Sequence, residues 1–245
     1  MNRTPFLAAP LVFTVAAGGA GKPEGEPMPD SAPPGHLARP PLRPPGPGIL
    51  VLHPWWGLND AVKDVCERLA GEGFTAFAPD LYHGRIATTV EEAEALSGAL
   101  LGGTQGREDV ALGARFLGEN ADPETGGIAV VGFSLGAFYA LDLSAADPEN
   151  VRVVVLFYGT RPGDYGSSKA AYLGHFAESD EFEPASEVKN LEKALLDAGR
   201  PVEFHTYGGT GHWFFEPDRT DAYRPEAARQ AWERTVTFLR KTLSP

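Results

Sequence analysis

A serine between two glycines stands where a predicted strand turns into a predicted helix. The G-x-S-x-G motif GFSLG (132–136) directly follows a buried strand expected over 128–131 and directly precedes an apolar helix. Such a turn strains the backbone of Ser134 and exposes its hydroxyl, while the glycines let neighbouring backbone approach. The N–H of Leu135 is then placed to donate to a developing oxyanion. The pattern predicts a nucleophile, and a serine that only caps its helix is the alternative.

An acidic segment follows the strand expected over 171–176. Asp180 lies in this segment, at the sheet edge where the acid of a catalytic triad belongs. We choose it over Glu178, which remains the second candidate. Glu181 and Glu183 lead into the next predicted helix, and acidic residues at such a position commonly interact with the helix dipole. Asp180 is thus the predicted partner that orients a catalytic base.

A histidine follows the last predicted strand. The strand over 202–207 ends in a glycine-rich loop, and the ring of His212, which comes next, can reach a serine at the same sheet edge. Only His212 gives the chain order nucleophile, acid, base with each member at a strand end. Ser134, Asp180 and His212 together predict nucleophilic attack on an ester carbonyl. The histidines that compete for the role of base are His36, His53, His83, His175 and His205.

The elements that must position these residues alternate between strands and helices. This alternation predicts an α/β fold with a mostly parallel sheet, helices on both faces and an active site beyond the carboxyl ends of the strands. Thr88 or Thr89 is expected to cap the second helix. The expected strands are 49–52, 75–78, 128–131, 151–157, 171–176 and 202–207, and the expected helices are 60–70, 90–101, 108–117, 135–143, 186–198 and 225–243.

The N-terminal part of the chain differs from the rest in composition. Residues 1–47 are predicted to form a Pro/Gly-rich extension with at most an edge strand near 36–39, and residues 48–245 the catalytic domain of a single-domain protein. Residues 6–17 resemble a weak secretory signal, whereas a first strand over 11–15 is the favoured interpretation. The expected location is therefore cytoplasmic, with export as the alternative.

The composition excludes several classes of partner and cofactor. The net charge is -12 at pH 7 and there is no Lys/Arg-rich run, so binding to nucleic acid or to an anionic membrane surface is not expected. Cys66, the only cysteine, has no partner for an intramolecular disulfide and is expected to be buried on a helix. No metal-ligand or phosphate-loop motif is visible, so no cofactor is expected. We expect a monomer or small homo-oligomer that acts on a small molecule.

Five distinctive segments are HPWWGLN (53–59), APDLYHGR (78–85), GFSLG (132–136), FAESD (176–180) and YGGTGH (207–212). On these segments, and from about Gly35 to the C-terminus, the sequence resembles the carboxymethylenebutenolidase-like dienelactone hydrolase family. The resemblance implies an α/β-hydrolase fold without a large lid and a serine hydrolase that cleaves a carboxylic ester or lactone. It also implies a triad on Ser134, Asp180 and His212, with an oxyanion hole formed by the N–H groups of Trp55 and Leu135.

Two features depart from the family pattern. Founding members carry a cysteine nucleophile and a glutamate just before the oxyanion-hole residue, where this sequence has Ser134 and Pro54. A cysteine nucleophile uses this glutamate to shape the resting state of its thiol, whereas a serine nucleophile relies on the histidine. The presence of Ser134 is therefore consistent with the presence of Pro54. The family's carboxylate-binding arginine corresponds to Glu216, although Arg85 is expected to supply one positive group nearby. Anionic lactones are therefore less expected as substrates.

Aromatic residues near these motifs predict an apolar pocket for an uncharged acyl or aryl ester. The predicted substrate-binding residues are Trp56, Tyr82, Arg85, Trp213 and Phe214. At least two of the aromatic residues are expected to belong to the core instead. Two further functions stay open, namely acyl transfer or peptide hydrolysis on the same triad and a non-catalytic binding protein that keeps the fold.

Overall fold

Seven strands form one sheet in the computed structural model, which describes residues 32–41 and 44–243. Their bounds are Gly35–Ala38 (β1), Gly48–Leu52 (β2), Thr75–Pro79 (β3), Ile128–Phe133 (β4), Val151–Phe157 (β5), Ala171–Ala177 (β6) and Val202–Tyr207 (β7). They lie side by side in the order β1-β3-β2-β4-β5-β6-β7. β1 pairs antiparallel with β3, and the other pairings are parallel. The predicted mostly parallel sheet is confirmed.

The central strands are buried on both faces. Every residue of β2, β3 and β4 is buried. In β2, Ile49 and Val51 belong to one apolar layer, whereas Leu50 and Leu52 belong to the other. Successive side chains of a strand point to opposite faces, so both sets need apolar residues when helices cover the sheet twice. This burial explains why the strands appear in the sequence as continuous apolar runs.

In the described part of the chain six α-helices connect the strands and cover the sheet. Their bounds are Asp60–Gly71 (α1), Val90–Leu101 (α2), Gln105–Asn120 (α3), Leu135–Ala146 (α4), Ala185–Asp197 (α5) and Pro225–Leu243 (α6). α1 and α6 contribute to the apolar layer on one face, and α3, α4 and α5 to the layer on the other. All six predicted helices are confirmed, with ends that differ slightly from the expected ones.

Helix α2 begins with a capping box beside the loop that follows β2. The Thr89 hydroxyl accepts from the N–H of Glu92 at 3.3 Å, and the Glu92 carboxylate accepts from the N–H of Thr89 at 3.3 Å. Of the two threonines predicted as caps, Thr89 is the N-cap residue. Ala93 on the buried side of α2 packs against Trp56. α2 is therefore anchored at the carboxyl edge of the sheet, close to the predicted site.

The edge strand β1 lies in the predicted N-terminal extension, of which residues 32–41 and 44–47 are described. His36 in this strand is hydrogen-bonded through Nε2 to Glu67 Oε1 on α1 at 2.8 Å. The favoured strand 11–15 and the alternative signal segment 6–17 lie outside the described residues, and the division at residue 47 stays a prediction. None of the helices in residues 32–41 and 44–243 combines the length and apolar character needed to cross a lipid bilayer.

Candidate active site

The turn between β4 and α4 holds Ser134 in a strained backbone conformation. Its φ is 50° and its ψ is -111°, a combination that few residues other than glycine adopt. A Cβ added to Gly132 would lie 2.4 Å from the carbonyl oxygen of Gly136, and one added to Gly136 would lie 2.1 Å from that of Leu52. Glycine is therefore required at both positions, because the backbone of the turn packs closely on itself and against the end of β2.

Three side chains from separate loops form a hydrogen-bonded row at the carboxyl edge of the sheet. Ser134 Oγ lies 2.9 Å from His212 Nε2, and His212 Nδ1 lies 2.8 Å from Asp180 Oδ2. Because a carboxylate only accepts, Nδ1–H donates to Asp180 and Nε2 accepts from the serine hydroxyl. The side chains of His212 and Asp180 are only 5% and 3% exposed. The structure thus brings together three residues that are far apart in the sequence.

Asp180 is also held through its second oxygen. Oδ1 accepts from the N–H of Phe182 at 2.9 Å and from the N–H of Glu183 at 3.0 Å, which leaves Oδ2 for the imidazole. Glu178, the second candidate for the acid, is engaged elsewhere. Its Oε2 accepts from the N–H of Gly209 at 2.9 Å. Glu178 therefore supports the glycine-rich loop before His212 and makes no hydrogen bond with the imidazole.

The two residues predicted to form an oxyanion hole lie in the wall of the cleft that contains Ser134. Leu135 is the first residue of α4, where backbone N–H groups lack partners within the helix. Trp55 belongs to the loop after β2, and its carbonyl oxygen accepts from the hydroxyl of Tyr82 at 3.2 Å. Tyr82 therefore fixes the orientation of the peptide that follows Trp55.

The cleft is small, with a volume of about 170 Å³. Its walls are mainly apolar, and none of the side chains that line it is an acid, a lysine or an arginine. The Trp55 indole N–H donates to the Ser97 hydroxyl, which ties α2 to the wall. The lining residues are Trp55, Ser97, Leu101, Ser134, Leu135, Phe182, His212 and Trp213.

Of the five predicted substrate-binding residues, only Trp213 lines this cleft. The structure corrects the prediction for Phe214, whose side chain is 0% exposed. Its ring packs between those of Tyr158 and Tyr207, with centroids 5.5 Å and 5.1 Å away. Adjacent loop residues face in different directions here, so that Trp213 reaches the cleft while Phe214 fills the core.

Trp56, Tyr82 and Arg85 also lie outside the cleft wall. Trp56 is buried behind Trp213, with ring centroids 5.6 Å apart, and the guanidinium of Arg219 covers its ring at 3.7 Å. Tyr82 is buried, and its hydroxyl is engaged by the Trp55 carbonyl. Arg85 is exposed and donates from Nε to the carbonyl oxygen of Tyr82 at 3.4 Å. The expectation that at least two of the aromatic residues belong to the core is confirmed.

Sequence reasoning misses three residues of the cleft wall. Phe182 lies among the carboxylates of the acidic segment, and no periodic pattern marks it as part of a site. Its ring centroid is nevertheless 5.0 Å from that of His212. Its position two residues after the predicted acid Asp180 is a signal that could have located it. Ser97 and Leu101 come from α2, and the helical pattern does not say which of its polar and apolar positions face the cleft.

A buried tyrosine and a buried glutamate lie behind the imidazole. Tyr158 directly follows β5, and its ring centroid is 4.9 Å from that of His212. Its hydroxyl donates to Glu216 Oε1 at 2.7 Å. Burial of the carboxyl group raises the pKa of Glu216 to about 8, against the opposing effect of the Tyr158 hydrogen bond. Glu216 is therefore mainly a neutral acid at pH 7, and it does not line the cleft.

Glu183 is a second carboxyl group with a raised pKa close to the row of three residues. Burial raises its pKa to about 7, although its Oε2 accepts from the Thr160 hydroxyl at 2.6 Å. Helix α5 begins only at Ala185. Glu183 thus contacts Thr160 and lies before the first turn of α5, which corrects the prediction that it serves the helix dipole.

Two other buried titratable side chains are those of His175 and Cys66. His175 is hydrogen-bonded to the hydroxyls of Tyr207 and Thr235 at 2.8 Å and 2.9 Å, and burial holds its pKa well below the ordinary value. Cys66 is fully buried on α1, and burial raises the pKa of its thiol. Among the described residues no group of three or more His, Cys, Asp or Glu side chains is arranged to hold a metal ion.

Comparison with solved structures identifies the class of fold. A dienelactone hydrolase-like promiscuous phosphotriesterase from metagenomic libraries superposes with a TM-score of 0.76 at 20% identity, over 85% of this chain and 92% of that one. The parallel sheet and the strand-turn-helix at Ser134 agree with this likeness. The chain has the α/β-hydrolase fold, with no large lid in the described residues.

Comparison of sequences identifies the family. The profile of the dienelactone hydrolase family matches residues 34–243. Protein usf of Aquifex pyrophilus is 32% identical over 207 residues, which cover 81% of this chain and 90% of that protein. A protein of Aquifex aeolicus (strain VF5), provisionally named a carboxymethylenebutenolidase, is 32% identical over 206 residues, or 81% of this chain and 89% of that protein. The chain belongs to the dienelactone hydrolase family, and it is a carboxylic ester hydrolase that acts on small molecules.

Proposed function

We propose that the protein hydrolyses small, uncharged carboxylic esters or lactones through an acyl-enzyme on Ser134. The observation that carries this proposal is the row Ser134, His212 and Asp180, with its hydroxyl end in an apolar cleft. A hydroxyl bonded to an imidazole that is itself oriented by a carboxylate is the arrangement that activates a serine nucleophile. Asp180 holds the imidazole in the tautomer whose Nε2 accepts the serine proton.

The reaction has two halves. In the first, Ser134 Oγ bonds to the carbonyl carbon while its proton passes to His212 Nε2. The bond to the alcohol oxygen then breaks, the alcohol takes that proton, and the acyl group remains on Ser134. In the second, water gives a proton to His212 and its oxygen attacks the acyl carbon. Ser134 recovers the proton as the carboxylic acid leaves, so the enzyme is unchanged.

The N–H groups of Trp55 and Leu135 are proposed to stabilise the tetrahedral oxyanion in both halves. Leu135 lies at the N-terminus of α4, where the helix dipole also favours negative charge. The carbonyl of Pro54, which belongs to the same peptide as the Trp55 N–H, accepts from the N–H of Gly57 at 3.2 Å, so this peptide is oriented before substrate arrives. Removing one such donor in other hydrolases costs about 10²- to 10³-fold in kcat.

The cleft favours an uncharged substrate. Its wall side chains include neither a lysine nor an arginine, and Glu216, at the position of the family's carboxylate-binding arginine, lies behind His212. A carboxylate drawn into the cleft would lose hydration without gaining an ion pair. The volume of about 170 Å³ also favours a small acyl or aryl group.

A substrate panel on matched variants tests the proposal. Wild type and Ser134→Ala are assayed with p-nitrophenyl acetate, p-nitrophenyl butyrate, p-nitrophenyl hemisuccinate and a peptide anilide. The control is Ser186→Ala, an exposed serine at the start of α5. We expect wild type and the control to cleave the acetate and butyrate esters, the hemisuccinate to react at least about tenfold more slowly, and Ser134→Ala to lose about 10³-fold or more in kcat.

A fluorophosphonate probe supplies an independent measurement. It should label the folded wild type once, at Ser134, as seen by mass spectrometry, and leave Ser134→Ala unlabelled. Full esterase activity of Ser134→Ala would contradict the assignment of the nucleophile. A folded wild type that neither reacts with the probe nor cleaves any of these esters would contradict the proposed reaction through an acyl-enzyme on Ser134.

A further inference from the structure

The imidazole of His212 is held at both nitrogens, but these two hydrogen bonds leave one motion open. Asp180 and Ser134 contact Nδ1 and Nε2, and the ring can still tilt about the line that joins these atoms. A contact with the body of the ring is needed to stop this tilt. Three aromatic rings supply such contacts, those of Tyr158, Phe182 and Trp213 at centroid distances of 4.9, 5.0 and 5.0 Å.

Of these three rings, Tyr158 is the one fixed from all sides. Phe182 is 53% exposed and Trp213 is half-buried, whereas Tyr158 is fully buried. The backbone N–H of Tyr158 donates to the carbonyl of His175 at 2.8 Å, and its φ of 37° is one that few non-glycine residues adopt. Strain of this kind persists only where the surroundings hold it. Tyr158 is thus the rigid wall behind the imidazole.

The hydroxyl of Tyr158 ends on Glu216, which lies four residues after His212. Glu216 Oε1 accepts from this hydroxyl at 2.7 Å, while Oε2 has no hydrogen-bond partner. Burying a carboxyl group with one unsatisfied oxygen costs stability, and an apolar residue of similar size would avoid that cost. The Glu216 backbone N–H donates to the carbonyl of Trp213 at 2.9 Å, so the same residue also closes the turn that directly follows His212.

We propose that Glu216 is a positioning residue for ester hydrolysis, which fixes the Tyr158 ring so that this ring sets the tilt of the His212 imidazole. The inference rests on the proposed role of Ser134, His212 and Asp180. It gives a function to a buried acid that the reaction itself does not use. It also explains how the position of the family's arginine is used in a chain whose cleft has no lysine or arginine in its wall.

Four variants test this inference with p-nitrophenyl acetate. Glu216→Gln keeps an oxygen for the Tyr158 hydroxyl, Glu216→Leu removes it, and Tyr158→Phe removes the donor. Tyr165→Phe is the matched control, because Tyr165 is buried like Tyr158 and its hydroxyl also donates one hydrogen bond. The acceptor of this bond is the backbone carbonyl of Arg161. We expect Glu216→Gln to keep kcat within about twofold of wild type. Glu216→Leu and Tyr158→Phe should each lose about tenfold in kcat and keep KM within about twofold. A tenfold loss in kcat corresponds to the free energy of one buried hydrogen bond.

The double variant Glu216→Leu/Tyr158→Phe separates positioning from general damage. If the two side chains act through their shared hydrogen bond, the double variant should lose no more kcat than the worse single variant. Additive losses of kcat in the double variant would overturn the inference. So would a folded Glu216→Leu with the kcat of wild type. The inference also fails if Glu216→Gln loses as much kcat as Glu216→Leu, or if Tyr165→Phe loses as much kcat as Tyr158→Phe.

Two further outcomes keep the test decisive. If Glu216→Leu does not fold, Tyr158→Phe against Tyr165→Phe, with Glu216→Gln as the conservative replacement, decides the question. If Ser134→Ala retains activity, the proposed reaction itself fails, whatever the Glu216 variants do. The Ser134 result therefore distinguishes failure of the proposed function from failure of the inference about Glu216.

Discussion

Replacing Glu216 by Gln should make the stability of the protein less sensitive to alkaline pH. Burial raises the pKa of this carboxyl to about 8 in the folded protein, whereas an ordinary glutamate titrates near 4.5. Between these two values the folded state keeps a proton that the unfolded state releases. Stability contributed by such a group is greatest below the unfolded pKa and is lost as pH rises towards the folded pKa. Glutamine has no proton to release, so Glu216→Gln does not lose stability in this way as the pH rises.

The size of the effect follows from the two pKa values. Each pH unit between them lowers the free energy of unfolding of wild type by about 1.4 kcal/mol relative to Glu216→Gln. The accumulated penalty is about 3 kcal/mol at pH 7 and about 5 kcal/mol above pH 8. These amounts are a large share of the stability of a single domain, so the variant should unfold at distinctly higher urea concentration in alkaline buffer.

Urea unfolding of both proteins at several pH values from about 5 to about 9 measures the prediction. The exposed carboxyl of Glu119 on α3 supplies the control variant Glu119→Gln, which should follow wild type. Glu183 also has a raised pKa, but it is present in all three proteins and cancels in the differences. Parallel curves for wild type and Glu216→Gln would refute the claim that Glu216 is buried with a raised pKa.

Three further predictions concern the site and the core. Asp180→Asn should lose about 10⁴-fold in kcat, because an amide holds the His212 imidazole in the wrong tautomer; steady-state hydrolysis of p-nitrophenyl acetate measures this, and a loss below about tenfold would contradict the role of Asp180. Gly136→Ala should lower both Tm and esterase activity, since the added Cβ would lie 2.1 Å from the carbonyl oxygen of Leu52; an active protein of unchanged Tm would exclude this contact. Cys66 should react with a thiol reagent such as DTNB only after unfolding, because its buried thiol has a raised pKa; rapid reaction of the native protein would contradict its burial.

The layout of the sheet could be predicted because two-sided burial leaves a strong trace in the sequence. The parallel strands appear as short apolar runs, and the helices between them have their own periodicity and caps, as at Thr89. Loops after parallel strands share one edge, so Ser134, Asp180 and His212 could be placed together because each follows a predicted strand and because of their order in the chain. Helix ends were less predictable because the last turns of a helix carry little pattern.

The walls of the cleft could not be predicted in the same way. Trp213 and Phe214 are adjacent aromatic residues, and only the path of the loop decides that one faces the cleft and the other the core. Ser97 belongs to α2, which lies outside all five distinctive segments of the sequence. The burial of Glu216 depends on Tyr158, which is 58 positions away, and nothing local in the sequence marks such a pair.

Helix α2 contributes Ser97 and Leu101 to the cleft but none of the residues assigned to bond breaking. Selection for a new substrate can therefore act on a stretch of chain whose changes leave the chemistry intact. A library randomised at these two positions should yield many active members that differ in which ester they prefer. Related proteins can therefore come to prefer different esters while they keep the same catalytic residues.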